Sequence, residues 1–229
     1  MARQNRAVAE SNSGATAIRH VTAVVIIAVV CLWASFSKAA FFELLPRLTL
    51  QLGKISFAAP SLPPIGHTRF CLQYPADCEV RGIDFRRRKI ALTAQRWNEL
   101  NAANRVVNRR IVPEITGGDA TTDEWVIAPH AGDCKDYAIT KRHQLLAMGW
   151  PSRSLLLAEV VVPTGEHHLV LVVRTAEVDL VLDNLNPEIR SVAMASHQYR
   201  WVRVERPENP KFWARVQIPG STRTAMLFD

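Results

Sequence analysis

No Gly-x-Ser-x-Gly elbow occurs anywhere in the chain, which removes the serine nucleophile of the α/β-hydrolases from consideration. Cysteine is scarce at 4 residues, and no second pair stands beside Cys71 and Cys78 to complete a four-ligand zinc site. His130, His143 and His197 lack any ligand spacing, so a metal centre built on them is not expected. Internal repeats and low-complexity stretches are absent too, which excludes solenoids and disordered spacers. Nor is there an apolar run of the roughly 20 residues that a membrane-spanning helix needs. Aromatic residues make up only 7% of the chain, and none interrupts its one strongly basic run, Arg86-Arg87-Arg88-Lys89.

That last absence bears on the net charge of +7, which at first sight points to nucleic acid. Residues 1–59 hold six basic and two acidic side chains, a balance of +4, so only +3 remains for everything after them. A basic run without aromatics to stack on bases reads as a solvated face, or as a contact for a membrane surface or a substrate. No nucleic-acid partner is expected.

What is present begins with an address. Residues 1–20 are polar and basic, and Val21 to Phe36 is apolar for sixteen residues, too short for a span but right for the central region of a secretory signal. Ser37-Lys38-Ala39 supplies a small-x-small cleavage pattern, so 1–39 reads as a signal peptide, with an uncleaved N-terminal membrane anchor over 21–36 as the alternative. Residues 40–63 read as a linker ending in Pro60-Ser61-Leu62-Pro63-Pro64, with a second candidate cut near Ala59, and 64–229 as one domain. Either way that domain is exported.

Export sorts the cysteines. Cys31 goes with the apolar run, while Cys71 and Cys78 are close enough to form a disulfide in an oxidising compartment, a shared metal being the weaker reading. Cys134 is left over, and an odd cysteine in an exported protein flags a reactive thiol. Its setting agrees. In Gly132-Asp133-Cys134-Lys135-Asp136-Tyr137-Ala138, Asp133 is a good N-cap and Cys134 takes the first helical position, where unpaired N–H groups favour a thiolate. Cys134, Tyr137, Ala138, Lys141, Leu145 and Met148 share one helical face, and Gly149 with Pro151 ends the helix. A packed core thiol remains the alternative, since the cysteine points where the core points.

Around this helix the pattern predicts a helix over 91–109, a Gly/Asp/Thr-rich loop from Pro113 to Thr122, and strands over Leu155–Val162, His168–Arg174, Val178–Asp183 and Tyr199–Glu205. Helices followed by an antiparallel sheet make an α+β fold. A thiol nucleophile needs a base, and the base an orienting group. If Arg174 pairs with Glu177 across a two-residue turn, His168 falls directly opposite Asp183 on one face of the hairpin, with His167 on the other. Asp183 also fits the bland role of a turn residue in Asp-Asn-Leu-Asn-Pro.

Trp125, then Gly-Asp-Cys-Lys-Asp-Tyr-Ala, then the His-Leu-Val-Leu strand, then Leu182-Asp183-Asn184-Leu185, resemble the bacterial transglutaminase-like cysteine proteinases. The likeness runs from Pro64-Ile65-Gly66-His67 through Cys71 and Cys78 to Tyr199-Arg200-Trp201. It implies a papain/transglutaminase-like α+β fold with Cys134 as nucleophile, His168 as base and Asp183 as orienting carboxylate. It further implies a periplasmic location and cleavage of exported proteins such as adhesins. The cofactor it brings is calcium, with Asp133 and Asp136 as the candidate ligands; none is otherwise expected. Lys135 departs from the pattern, because an acidic residue often follows the family's cysteine, and the reversed charge suits the thiolate better than a hard cation. The rival readings are a non-catalytic binding module, and an amidase or transglutaminase using the same thiol.

Overall fold

Leu155-Leu156-Leu157-Ala158 offers no polar position to give a strand a wet side, and such a run is stable in a sheet only when both faces are covered. The computed structural model, which describes residues 53–81, 90–114 and 123–217, covers them both. All of these residues lie in one unit, Gln51–Asp229.

In chain order the elements are strand β1 (Ser56–Ser61), helix α1 (Ile65–Gln73), a 3₁₀ turn at Pro75–Cys78, helix α2 (Ala94–Arg110), strands β2 (Val112–Pro113) and β3 (Ala131–Gly132), and helix α3 (Cys134–Ala147). A second 3₁₀ turn at Ser152–Ser154 leads into strands β4 (Leu155–Val161), β5 (His167–Arg174), β6 (Asp179–Leu182) and β7 (Arg190–Ser191). Helix α4 (Val192–Ala195) and strands β8 (Arg200–Arg206) and β9 (Asn209–Gln217) complete it. Seven strands pair antiparallel in the order β1-β9-β8-β4-β5-β6-β7, while β2 and β3 form a small parallel pair. The expected α+β fold with a thiol helix against an antiparallel sheet is the observed one.

Alternate residues of the central strands feed two cores. Leu155, Leu157, Leu169, Leu171, Val173, Leu180 and Leu182 pack with Phe70, Leu100, Ala103, Ile139 and Leu145 of the helices. Leu156, Ala158, Val160, Val170, Val172 and Val181 pack on the other side with Val192, Ala195, Tyr199 and Ile55. Each Leu, Ile, Val or Phe among them, taken fully out of water, contributes about 1.5–3 kcal/mol. Helix α3 is buried on most of its circumference: Lys135 to Arg142 are all buried, as are Leu145 and Leu146. The single apolar face expected of it was too narrow, and Met148, placed on that face, is exposed.

Three further expectations shift. The stretch read as linker contains β1, which pairs with β9, so a cut near Ala59 would divide a strand of the sheet. Helix α1 was not anticipated; the Cys71–Cys78 disulfide joins it to the following 3₁₀ turn. The β5–β6 hairpin is also two residues out of the expected register: Arg174 pairs with Asp179, not Glu177, and Leu171 with Leu182. Its turn is wider because Thr175 Oγ1 donates to Val178 O and accepts from Val178 N, while Ala176 N donates to Ile90 O. A two-residue slip keeps every side chain on its face, so His168 and Asp183 become diagonal rather than direct neighbours. Residues 21–36 and the run 86–89 lie outside the described residues. Among the described residues, no helix is long and apolar enough to cross a membrane.

Candidate active site

The head of α3 is built by its own sequence. Asp133 has extended backbone angles and accepts Lys135 N–H at 3.1 Å, and the Asp136 carboxylate returns to accept Asp133 N–H at 3.1 Å, a reciprocal capping box. Asp136 takes a second backbone donor, Val126 N–H at 2.9 Å, on its other oxygen. Burial pushes the Asp136 carboxyl up from its ordinary value, against the pull of these two N–H donors. Gly132 is required here for space: a Cβ at that position would collide with the Asp136 carboxylate. Just upstream, Ala128 sits in the left-handed region at φ 54°, held by Thr140 Oγ1, which accepts its N–H at 2.8 Å.

Cys134 is the free thiol of the described residues and is partly exposed at this helix head. His168, the second residue of β5, hydrogen-bonds with it and is itself buried. His168 Nε2 lies 2.8 Å from Asp183 Oδ1, which leaves Nδ1 as the nitrogen facing the thiol. The structure thus brings together the three residues singled out in the sequence. Burial disfavours the imidazolium, but the hydrogen bond to Asp183, followed by that to Cys134, outweighs it and lifts His168 to about 9. Burial would likewise raise Asp183, yet the His168 charge and bond, then Tyr199 and Asn186, hold it far below the carboxylate range.

Asp183 is crowded with donors that sequence reasoning missed. Leu185 N–H reaches Oδ1 at 3.0 Å, Asn186 Nδ2 reaches Oδ2 at 3.0 Å, and Tyr199 Oη donates to the same oxygen. Helix α2 holds the backbone of this loop: Asn108 Nδ2 donates to Asp183 O at 2.9 Å and Asn104 Nδ2 to Pro187 O at 3.1 Å. The available signal was two asparagines, one turn apart, beside the stripe of Leu100, Ala103 and Val107. His167, expected on the exposed side, is exposed and pairs with Glu159.

The remaining expectation concerned charge. Lys135, read as a cation beside the thiolate, is buried and pairs with Asp133 and, at 2.9 Å, with Asp123 Oδ1. Asp123 Oδ2 accepts Trp125 Nε1–H at 2.9 Å. The only His/Cys/Asp/Glu cluster among the described residues that is dense enough for a metal is His67, Cys71 and Cys78, but its two sulfurs are joined in the disulfide. Buried His67 bonds instead to Glu205 at 2.9 Å.

Comparison with known proteins places these residues in context. The family described as bacterial transglutaminase-like cysteine proteinase matches residues 58–221. Among solved structures, LapG of Legionella pneumophila is similar in three forms. The calcium-bound form is 26% identical at a TM-score of 0.44, over 52% of this chain and 68% of that one. A second form gives 26% and 0.42 over 52% and 66%, and an EGTA-treated form 29% and 0.40 over 47% and 62%. A comparison with curated proteins gives no match.

Proposed function

The chain belongs to the bacterial transglutaminase-like cysteine proteinases, and from that premise we propose that it is an exported peptidase that hydrolyses exported or cell-surface proteins through Cys134, His168 and Asp183. One observation carries the proposal: a thiol at a helix head is linked by hydrogen bonds to a buried histidine and on to a carboxylate. With His168 lifted to about 9, imidazolium is its prevalent form at neutral pH, the form that can give a proton to a leaving group. Attack of Cys134 Sγ on a peptide carbonyl places negative charge on oxygen near the Cys134 N–H, one of the unpaired donors of the first turn. His168 then passes its Nδ1 proton to the leaving amine, and Asp183, fixed by its donors, keeps the ring oriented. Neutral His168 next takes a proton from water as it releases the acyl group.

The location is the periplasm. Family membership, the disulfide and the apolar run before residue 37 support it. The partner is an exported protein substrate of the adhesin kind that the family resemblance implies, and residues 21–36 are the candidate anchor.

Calcium, which the relative LapG binds in one of its forms, does not fit the residues here. The ion takes roughly six to eight oxygens. Both oxygens of Asp136 accept backbone N–H groups, and those of Asp133 accept Lys135 N–H and the Lys135 ammonium. No step of the reaction is routed through it.

The test compares envelope proteins of cells carrying the native chain with those of cells carrying Cys134→Ala. Fragments that vanish in the variant, while its unfolding temperature is unchanged, are the expected result; cleavage that persists overturns the mechanism. Iodoacetamide at neutral pH should alkylate Cys134 of the native chain, and an inert thiol would favour the binding-module reading.

A further inference from the structure

We infer that Lys135 is a built-in substitute for a metal ion at the head of α3, so that this chain assembles its thiol site without calcium. The inference rests on the peptidase reading only for what the site does.

Asp123, Asp133 and Asp136 bring three carboxyl groups to one helix terminus, and the partial positive charge of that terminus, about half an elementary charge, does not balance them. Something cationic must join them, and the Lys135 ammonium does so, bridging the N-cap Asp133 and the loop residue Asp123. The side chain is only 8% exposed, so water and salt screen the bridge weakly.

The bridge has a mechanical role that a divalent ion would otherwise fill. It fastens the Asp123–Val126 segment to the first turn of α3, alongside the Val126 N–H bond to Asp136 and the Trp125 bond to Asp123. The same segment meets α1 at Gly66, where a Cβ would collide with Trp125 Nε1. A second, independent observation concerns Asp136, whose two oxygens are already engaged by Asp133 N–H and Val126 N–H, the bonds that start the helix and hold the loop, so the ammonium of Lys135 is left to balance Asp123 and Asp133. A cation covalently attached one residue after the nucleophile is always present, whatever the calcium concentration outside the cell.

Thermal unfolding of the full-length chain tests this without reading catalysis. The native protein should unfold at the same temperature in EGTA and in millimolar calcium, and should show no terbium or calcium site in titration. A rise of several degrees with calcium, or a micromolar site, overturns the inference. Lys135→Glu replaces the ammonium by a carboxylate; it should unfold on the order of 5 °C lower in EGTA and recover with calcium. If that variant folds yet ignores calcium, the inference fails. Should it not fold, Lys135→Met decides: a lower unfolding temperature than the native chain in EGTA supports the bridge, and an unchanged one refutes it. Loss of the peptidase reading, from an inert Cys134, would leave all these shifts in place.

Discussion

Asp183→Asn removes the charge that holds His168 protonated while keeping the size of the side chain. In the native protein His168 rises from 6.5 to about 9, which at 1.36 kcal/mol per factor of ten is worth about 3 kcal/mol of preference for the imidazolium. The sign follows from linkage. A base whose folded pKa is raised binds its proton more tightly when folded, so its stabilisation is complete below about 6.5 and is lost as pH climbs through about 9. In the variant only burial and the thiol remain, and burial pulls His168 down. The gap in stability between native and variant should therefore be widest near about pH 6 and narrow by about 3 kcal/mol toward about pH 10, or about 6–12 °C in unfolding temperature. Lys141, lowered to about 7, has a slope of opposite sign between there and 10.5 that is common to both proteins; because the Asp183 charge props it up, the variant lowers it further and widens the gap only below about pH 7. NMR of the imidazole reads the same quantity directly. Peptidase activity should fail on the alkaline side near about pH 9 in the native chain and at lower pH in the variant. A native His168 that titrates near 6.5, or a stability gap that is flat with pH, would refute the reasoning.

Two other substitutions probe the surroundings. Gly132→Ala drives a methyl group into the Asp136 carboxylate, so the capping box should open, costing about 1 kcal/mol or more of stability and lowering the iodoacetamide labelling rate of Cys134; unchanged unfolding temperature and labelling would contradict the steric argument. Lys141 is fully buried, its ammonium makes no hydrogen bond among the described residues, and it lies 5.9 Å from the Tyr137 ring. Lys141→Met should raise stability by about 1–3 kcal/mol below pH 7, where the buried amine must carry its charge, with a gain that shrinks toward pH 10.5; urea unfolding across that range checks it.

The parts of the fold that could be read in advance were those written in contiguous residues. Asp133 before Cys134 announces a capped helix, and Leu155 to Val161 announces a strand buried on both faces. What escaped depends on contacts between distant segments. Strand β1, Ser-Phe-Ala-Ala-Pro-Ser, has neither alternation nor β-branched residues and exists because β9 supplies its ladder. The β5–β6 turn is braced from outside by Ile90, far upstream of it. Within the candidate site, the convergence of Cys134, His168 and Asp183 was legible because a thiol nucleophile would require a base and an orienting group. Their supports were not: Asn104, Asn108 and Tyr199 act from α2 and the chain before β8, and Lys135 gives no sign in sequence that its partner is Asp123.

The clamp of Asn104 and Asn108 on the Asp183 loop has a consequence for when this protein becomes dangerous. The thiol comes from one helix, the base from a strand and the carboxylate from a loop pinned by a second helix, so none of the three is in place until helices and sheet have closed on each other. A chain not yet folded carries the residues of the candidate site but not the site itself, and a compartment that holds it unfolded needs no inhibitor to be spared.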